Sequence, residues 1–280
     1  MTSITTLAVV GHPIGHSLSP VLHRAAYQAL GLDWKYEAVD VQPGELTNFI
    51  DSADVTLRGL SVTMPHKTAA LEIADHFDLI AEQTQSVNTL MFDYSSGLRV
   101  THGFNTDVSG IVHACHDVGV QSARHVAVVG SGATASSAVV GAAELGAEHV
   151  SVIARTPQNA FKLEQVGQRA GVSVSVTPLS QIQTVSPVDL AISTLPGEVE
   201  QSLNQLSRVP HAALLDVAYS PWPSRRGTEW ASLGGEVISG LRMLAHQALI
   251  QVRIFVLGNP FEKLPNEETV KTAMFEAVSL

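Results

Sequence analysis

Residues 125–146 read HVAVVGSGATASSAVVGAAELG, and their reading decides the fold. A β-branched run, HVAVV, leads into Gly130, Gly132 and Ala135, and an alanine-rich stretch follows that spells a helix. G-x-G-x-x-A between a strand and a helix fits a dinucleotide. The first glycine permits a tight turn, the second lets backbone approach a pyrophosphate, and the small third residue lets the helix pack closely. The next strand, VSVIAR, ends on Arg155 and Thr156, with no acid in ARTPQNAFK. An NAD site usually places a carboxylate there for the ribose 2′-OH, whereas a 2′-phosphate requires a cation. Arginine pairs with phosphate through two N–H bonds and threonine adds a hydroxyl, so the expected cofactor is NADP(H).

Outward from this motif the chain alternates. HVAVVG, VSVIAR, VSVSVTP, DLAIST, ALLDVAYS and EVISG read as strands with helical segments between them. Upstream, LAVVG, WKYEAVDV, LRGLSVTM, VNTLMF and LRVTHGF form an earlier series, separated by helical stretches such as PGELTNFIDSA and HKTAALEIADHF. Such alternation implies parallel βαβ units and a doubly wound sheet. DVSGIVHACHDVG reads as one helix stopping at Gly119, and after Gly240 the pattern is helical throughout. The expected architecture is α/β with two domains. One is discontinuous, residues 1–106 with 242–280; the other, 107–241, is the Rossmann-type nucleotide domain.

Composition excludes several classes of function. The 280 residues are 45% hydrophobic and 15% charged, which fits a soluble protein with well-filled cores. A net charge of −10 disfavours a nucleic-acid binder but leaves room for a small anion in a local cationic pocket. The single cysteine, Cys115, has no internal disulfide partner, which points to a reducing cytoplasm. The N-terminus, MTSITTLAVVG, lacks the basic flank and apolar core of a signal peptide. The apolar stretch ALIQVRIFVL, interrupted by Gln251 and Arg253, is too short to span a bilayer.

Three further segments carry candidate chemistry. GHPIGHSLSP, residues 11–20, leaves the first strand through two glycines; Ser19 before Pro20 reads as a helix cap, leaving Ser17 unexplained. GLSVTMPHKTAAL places Lys67 at a helix start, where its charge opposes the helix dipole, with Thr63 nearby. THGFNTDVSG places Asp107 in the first turn of the linking helix, where aspartate is also a good N-terminal residue.

Taken together, GHSLSP, SVTMPHK, SVNTL, GFNTD, GSGATA, ART, AYSP and GLRMLAHQ run in an order similar to that of the shikimate dehydrogenase family, across nearly the whole chain. The resemblance implies a substrate domain, an NADP domain and a cleft between them. It also implies NADPH-dependent reduction of 3-dehydroshikimate to shikimate, a step in aromatic amino-acid biosynthesis. On this resemblance Ser17 and Ser19 match the pair that binds the substrate carboxylate, with Tyr219 near that end. Thr63, Asn88 and Gln247 match residues around the substrate hydroxyls, and Lys67 and Asp107 the catalytic pair. On the cofactor side the matches are Gly130, Ser131, Gly132, Ala133, Arg155, Thr156, Thr194, Val217 and Gly240. The implied partner is a small-molecule substrate, with no nucleic acid or membrane, and the assembly is a monomer or homodimer.

The chain departs from the family pattern at three positions. Ser61 stands where many relatives have Asn, Ala154 stands before the arginine where many have Asn, and Asn159 replaces a second basic residue, with Lys162 the nearest substitute. The histidines His12, His16, His23, His113 and His116 complete no metal-ligand pattern with a carboxylate, so no metal is expected. Two rival functions remain open. A quinate dehydrogenase would carry Thr in place of Ser19 and an acid near Arg155, and a non-catalytic sensor would lose Lys67 and Asp107.

Overall fold

The computed structural model describes residues 4–280, which divide into two compact units, 4–106 with 245–280 and 107–244. The sequence pattern resumes the first unit at 242. Both positions fall inside one continuous helix, where no loop marks a boundary.

The first unit begins with β1 (Thr6–Gly11), α1 (Ser19–Ala29), β2 (Lys35–Asp40), α2 (Leu46–Asp51) and β3 (Leu57–Val62). It continues through α3 (Lys67–Ile73), β4 (His76–Phe77), α4 (Leu79–Thr84), β5 (Thr89–Asp93) and β6 (Val100–Phe104). These strands form one sheet in the order β2-β1-β3-β5-β6-β4. The sheet is mixed, not parallel as the alternation predicts: β5 runs antiparallel to both β3 and β6. The reason is the connection. Residues 94–99 join β5 to β6 in a turn closed by Gly97 N–H on the Tyr94 carbonyl at 3.0 Å, too short for a crossover helix. HKTAALEIADHF also differs from its reading as one helix, since α3 stops at Ile73 and His76–Phe77 pair with β6.

The second unit starts with α5 (Asp107–Asp117), β7 (His125–Val129), α6 (Ala133–Glu144), β8 (His149–Ala154), α7 (Lys162–Ala170) and β9 (Ser173–Pro178). β10 (Val188–Ser193), β11 (Arg208–Asp216), α8 (Arg225–Ser232) and β12 (Glu236–Ser239) follow. All six strands are parallel, in the order β12-β11-β10-β7-β8-β9. The strand order reverses direction between β7 and β10, the switch point at which doubly wound sheets bind ligands. β7, β8 and β10 are apolar and buried on both faces, as a covered parallel sheet requires. One connection breaks the expected pattern. Residues 194–207, between β10 and β11, form a loop instead of a helix, and β11 begins earlier than the ALLDVAYS reading, at Arg208.

α9 (Gly240–Leu257) then leads back into the first unit, and α10 (Glu267–Glu276) packs against α1. Arg253 of α9 forms a two-pronged pair with Glu267 of α10, at 2.6 Å on each side. Phe255 is fully buried in the first unit; its carbonyl accepts the Arg58 Nε–H, and its ring lies against Gly59 and 5.9 Å from the His23 ring. Phe255→Ala should therefore cost about 3–5 kcal/mol by leaving a cavity, read as a lower urea midpoint with unchanged slope.

Candidate active site

In the first unit, two of the candidate residues, Asn88 and Gln247, meet in a buried hydrogen-bonded cluster. Asn88 stands just before β5, 2% exposed, and its side chain is held from both ends. Its Oδ1 accepts the Thr106 N–H at 2.9 Å and the Thr89 hydroxyl at 2.8 Å, while its Nδ2 donates to Thr106 Oγ1 at 2.9 Å. Gln247, on α9, brings its Oε1 to 3.3 Å from Asn88 Nδ2 and 3.2 Å from Thr106 Oγ1. One turn further along α9, Gln251 donates to the Asn88 carbonyl and to Thr89 Oγ1. Its Oε1 accepts from Ser61 Oγ at 2.8 Å, and Ser61 in turn accepts the Tyr36 hydroxyl at 2.6 Å. Each amide orientation is thus dictated by its neighbours.

Ser61, which stands where many relatives have Asn, is 3% exposed and spends its hydroxyl inside this network. Gln251, Thr89, Thr106, Tyr36 and His23 were not singled out from sequence as members of the site. One signal existed: Gln251 follows Gln247 by four residues, on the same helix face.

His23 closes the far end of the cluster. Its ring stacks on Tyr36 with centroids 4.0 Å apart, Nε2 donates to Gln251 Oε1 at 3.2 Å, and Nδ1 accepts the Tyr27 hydroxyl at 3.2 Å. Burial pushes its pKa down to about 3, so the ring is neutral. The same burial raises the pKa of the Tyr27 and Tyr36 phenols.

The opening loop differs from its reading in one respect. α1 starts at Ser19 with Leu18 in the cap position, and no side chain caps it. Ser19 is already inside the helix, and the Ser17 hydroxyl accepts the Ser19 N–H at 3.3 Å. The serine that interacts with the helix start is therefore Ser17, and Ser19 is 5% exposed beside the Tyr36 hydroxyl. Thr63 lies just beyond β3 and Lys67 opens α3, both half-buried. His66 turns the other way: its Nε2 donates to the Val41 carbonyl at 2.8 Å, in the core.

In the second unit, a cavity of about 220 Å³ opens at the carboxyl ends of β7, β8 and β10. Gly130, Ser131, Arg155, Thr156 and Asn159 line one side, and Leu195, Pro196, Val199 and Gln201 the other. Gly130 has φ +127°, and a Cβ there would overlap Thr194 Oγ1, which itself donates to the Val129 carbonyl at 3.0 Å. Gly132 caps α6 and faces open space, so backbone is exposed where a phosphate would approach. Arg155 and Thr156 are exposed at the end of β8. Gly240 is buried at the start of α9, where a Cβ would overlap the Val217 backbone. Asp107 is the first residue of α5 and 4% exposed; Tyr219 is half-buried beyond the end of β11, its phenol pKa raised by burial. The glycine turn, the open backbone at Gly132 and the cation at the end of β8 fit the phosphates of a dinucleotide.

A family model described as the shikimate dehydrogenase substrate binding domain matches residues 9–90. A shikimate dehydrogenase (NADP(+)) of Methanothermobacter thermautotrophicus is 32% identical over 261 residues, covering 90% of this chain and 91% of the relative. The chain belongs to the shikimate dehydrogenase family. The crystal structure of the Mycobacterium tuberculosis shikimate dehydrogenase is 36% identical with a TM-score of 0.82, covering 99% of this chain and all of that one. That of the Thermus thermophilus enzyme, in complex with NADP(H) and shikimate, is 28% identical with a TM-score of 0.80, covering 98% of this chain and all of that one. Both members align over both units of the fold, so the family assignment does not rest on the N-terminal match alone.

Cys115 is buried in α5, and burial pushes its thiol up to about 12, so it is unreactive at neutral pH. Among the described residues, no group of three or more His, Cys, Asp or Glu side chains could hold a metal, and no helix is long and apolar enough to cross a membrane.

The unfolded chain takes up a proton on the His23 ring below its ordinary value of 6.5, and the folded chain does not until about 3. Its contribution to stability is present above pH 6.5 and is lost as pH falls toward 3. His23→Gln, which cannot titrate, should flatten the decline of Tm across that window. An unchanged slope would remove His23 as its source.

Proposed function

We propose that this chain catalyses the reversible NADPH-dependent reduction of 3-dehydroshikimate to shikimate in the cytoplasm. The observation that carries the reading is the pairing of full-length kinship with a nucleotide cavity bearing Arg155 and Thr156, and no acid, at the end of β8. Bound NADPH supplies a hydride to the substrate carbonyl carbon. The chain must then do three things: hold the acid, align the ring hydroxyls, and provide for the oxygen that becomes an alkoxide.

Ser17 from the opening loop and Ser19 from the first turn of α1 offer hydroxyls to the substrate carboxylate, and Tyr219 serves the same end. Asn88, Gln247 and Thr63 bind ring hydroxyls. For Asn88 and Gln247 the buried network matters, because an amide whose orientation is already set loses little freedom on binding. Lys67 supplies the proton, or the positive charge, that the developing alkoxide requires. Asp107 orients that ammonium and accepts from a ring hydroxyl. On the nucleotide side Gly130, Ser131, Gly132 and Ala133 present backbone to the pyrophosphate, and Arg155 with Thr156 holds the 2′-phosphate. Thr194, Val217 and Gly240 complete the nicotinamide end.

A spectrophotometric assay crossing shikimate and quinate with NADP⁺ and NAD⁺ tests the reading directly. Shikimate with NADP⁺ should give the highest kcat/KM, and a preference for quinate with NAD⁺ would overturn it. Lys67→Ala should lower kcat about 10²–10⁴-fold while calorimetric shikimate affinity changes far less. Asp107→Asn should also lower kcat, and the double variant should lose less than the product of the two single losses. Arg155→Asp should weaken NADP⁺ binding by about ten- to a hundredfold and leave NAD⁺ nearly unaffected, as expected when a charged phosphate pair is replaced by repulsion.

A further inference from the structure

One buried charge in the second unit has no part in the chemistry above. Arg226, on α8, has a side chain only 1% exposed, and Asp216, the last residue of β11, is fully buried. The guanidinium grips the carboxylate with both prongs, Nε to Oδ2 and Nη2 to Oδ1, each at 3.0 Å. A buried ion pair needs its remaining donors and acceptors satisfied, or desolvation outweighs the attraction. Arg226 satisfies them on one loop. Nη1 donates to the Val199 carbonyl at 2.6 Å, and Nη2 to the carbonyls of Leu195 and Pro196 at 3.2 and 3.3 Å. Asp216 in turn accepts the Ser224 hydroxyl at 2.5 Å and the Ala218 N–H at 3.3 Å.

The loop so held is the one that replaces a helix between β10 and β11, and its residues Leu195, Pro196 and Val199 form one wall of the nucleotide cavity. The loop's own main-chain bonds are short turns, such as the Val199 N–H on the Pro196 carbonyl at 3.1 Å, and three of its wall positions hang from a single guanidinium. A second constraint acts at Gly197, where a Cβ would overlap the Ser220 carbonyl. By contrast Arg225, next to Arg226, pairs with Glu200 and Glu229 on the surface with its own side chain 61% exposed, an arrangement that holds little.

We infer that Arg226, clamped by Asp216, is a positioning residue for the dinucleotide: it sets the cavity wall formed by residues 195–199. This inference rests on the reading of that cavity as the nucleotide site. Arg226 reaches the ligand only through backbone carbonyls of the loop. Its effect falls on the cavity wall rather than the 2′-phosphate, and so is shared by NADPH and NADH.

The test is fluorescence titration of the full-length protein with NADPH and with NADH, alongside melting temperatures. Arg226→Lys keeps a charge for Asp216 but cannot form the fork that reaches three carbonyls at once. Gly197→Ala leaves the ion pair intact and displaces the loop by a clash. Both variants should melt well above the assay temperature and bind both nucleotides roughly 3- to 30-fold more weakly, the range seen when residues remote from a ligand reset its site. Should Arg226→Lys fail to fold, Gly197→Ala carries the test alone. Folded variants with wild-type affinity for both nucleotides would overturn the inference, as would a loss confined to NADPH. Wild-type protein that binds neither nucleotide would instead overturn the reading of the cavity.

Discussion

A parallel strand cannot be followed by its neighbour through a tight turn, and the second unit is organised by that restriction. Every strand from β7 to β12 must end on the same edge, and each chain return must cross a face of the sheet. Where the order reverses between β7 and β10, successive connections leave in opposite directions and a crevice is left over. Gly130 at the end of β7 and Thr194 at the end of β10 meet across it, close enough that only glycine fits. The nucleotide cavity is thus a by-product of topology, and the side chains around it decide only what it accepts.

The first unit solves a different problem with different means. Its sheet also reverses order, between β1 and β3, but it is mixed, and the polar groups buried in it are amides and hydroxyls. Burying so many polar atoms is costly unless each has a partner. The chain from Tyr36 through Ser61, Gln251, Thr89 and Asn88 to Thr106 and Gln247 meets that requirement by mutual donation. A neutral His23 anchors it without bringing a charge inside. The geometry presented to a ligand is therefore set before the ligand arrives.

Much of this was legible in the sequence, and the failures have identifiable physical causes. The fingerprint at 130–135, the strand before it and the arginine after the next strand depend on local pattern, which sequence displays. The cluster around Asn88 depends on partners far apart in the chain, such as Gln251, and within ALIQVRIFVL that glutamine reads as a polar interruption of an apolar run. Ser19 followed by Pro20 carries a capping signature, yet the helix begins one residue earlier than that signature requires. The β5–β6 hairpin escaped because apolar spacing defines strands without giving their direction; only the shortness of residues 94–99 does so. The loop at 194–207 has no helical periodicity, a negative signal that is easily overlooked.

Arg226 holds that loop entirely by main-chain carbonyls. Any amino acid provides a carbonyl, so the anchor is indifferent to which side chains Leu195 and Val199 carry. The cavity wall can accordingly drift in sequence, toward a wider or narrower or more polar lining, while its backbone stays in place. Scaffold and lining are thereby uncoupled at this wall, leaving nucleotide affinity free to change by single substitutions that do not first have to rebuild the site.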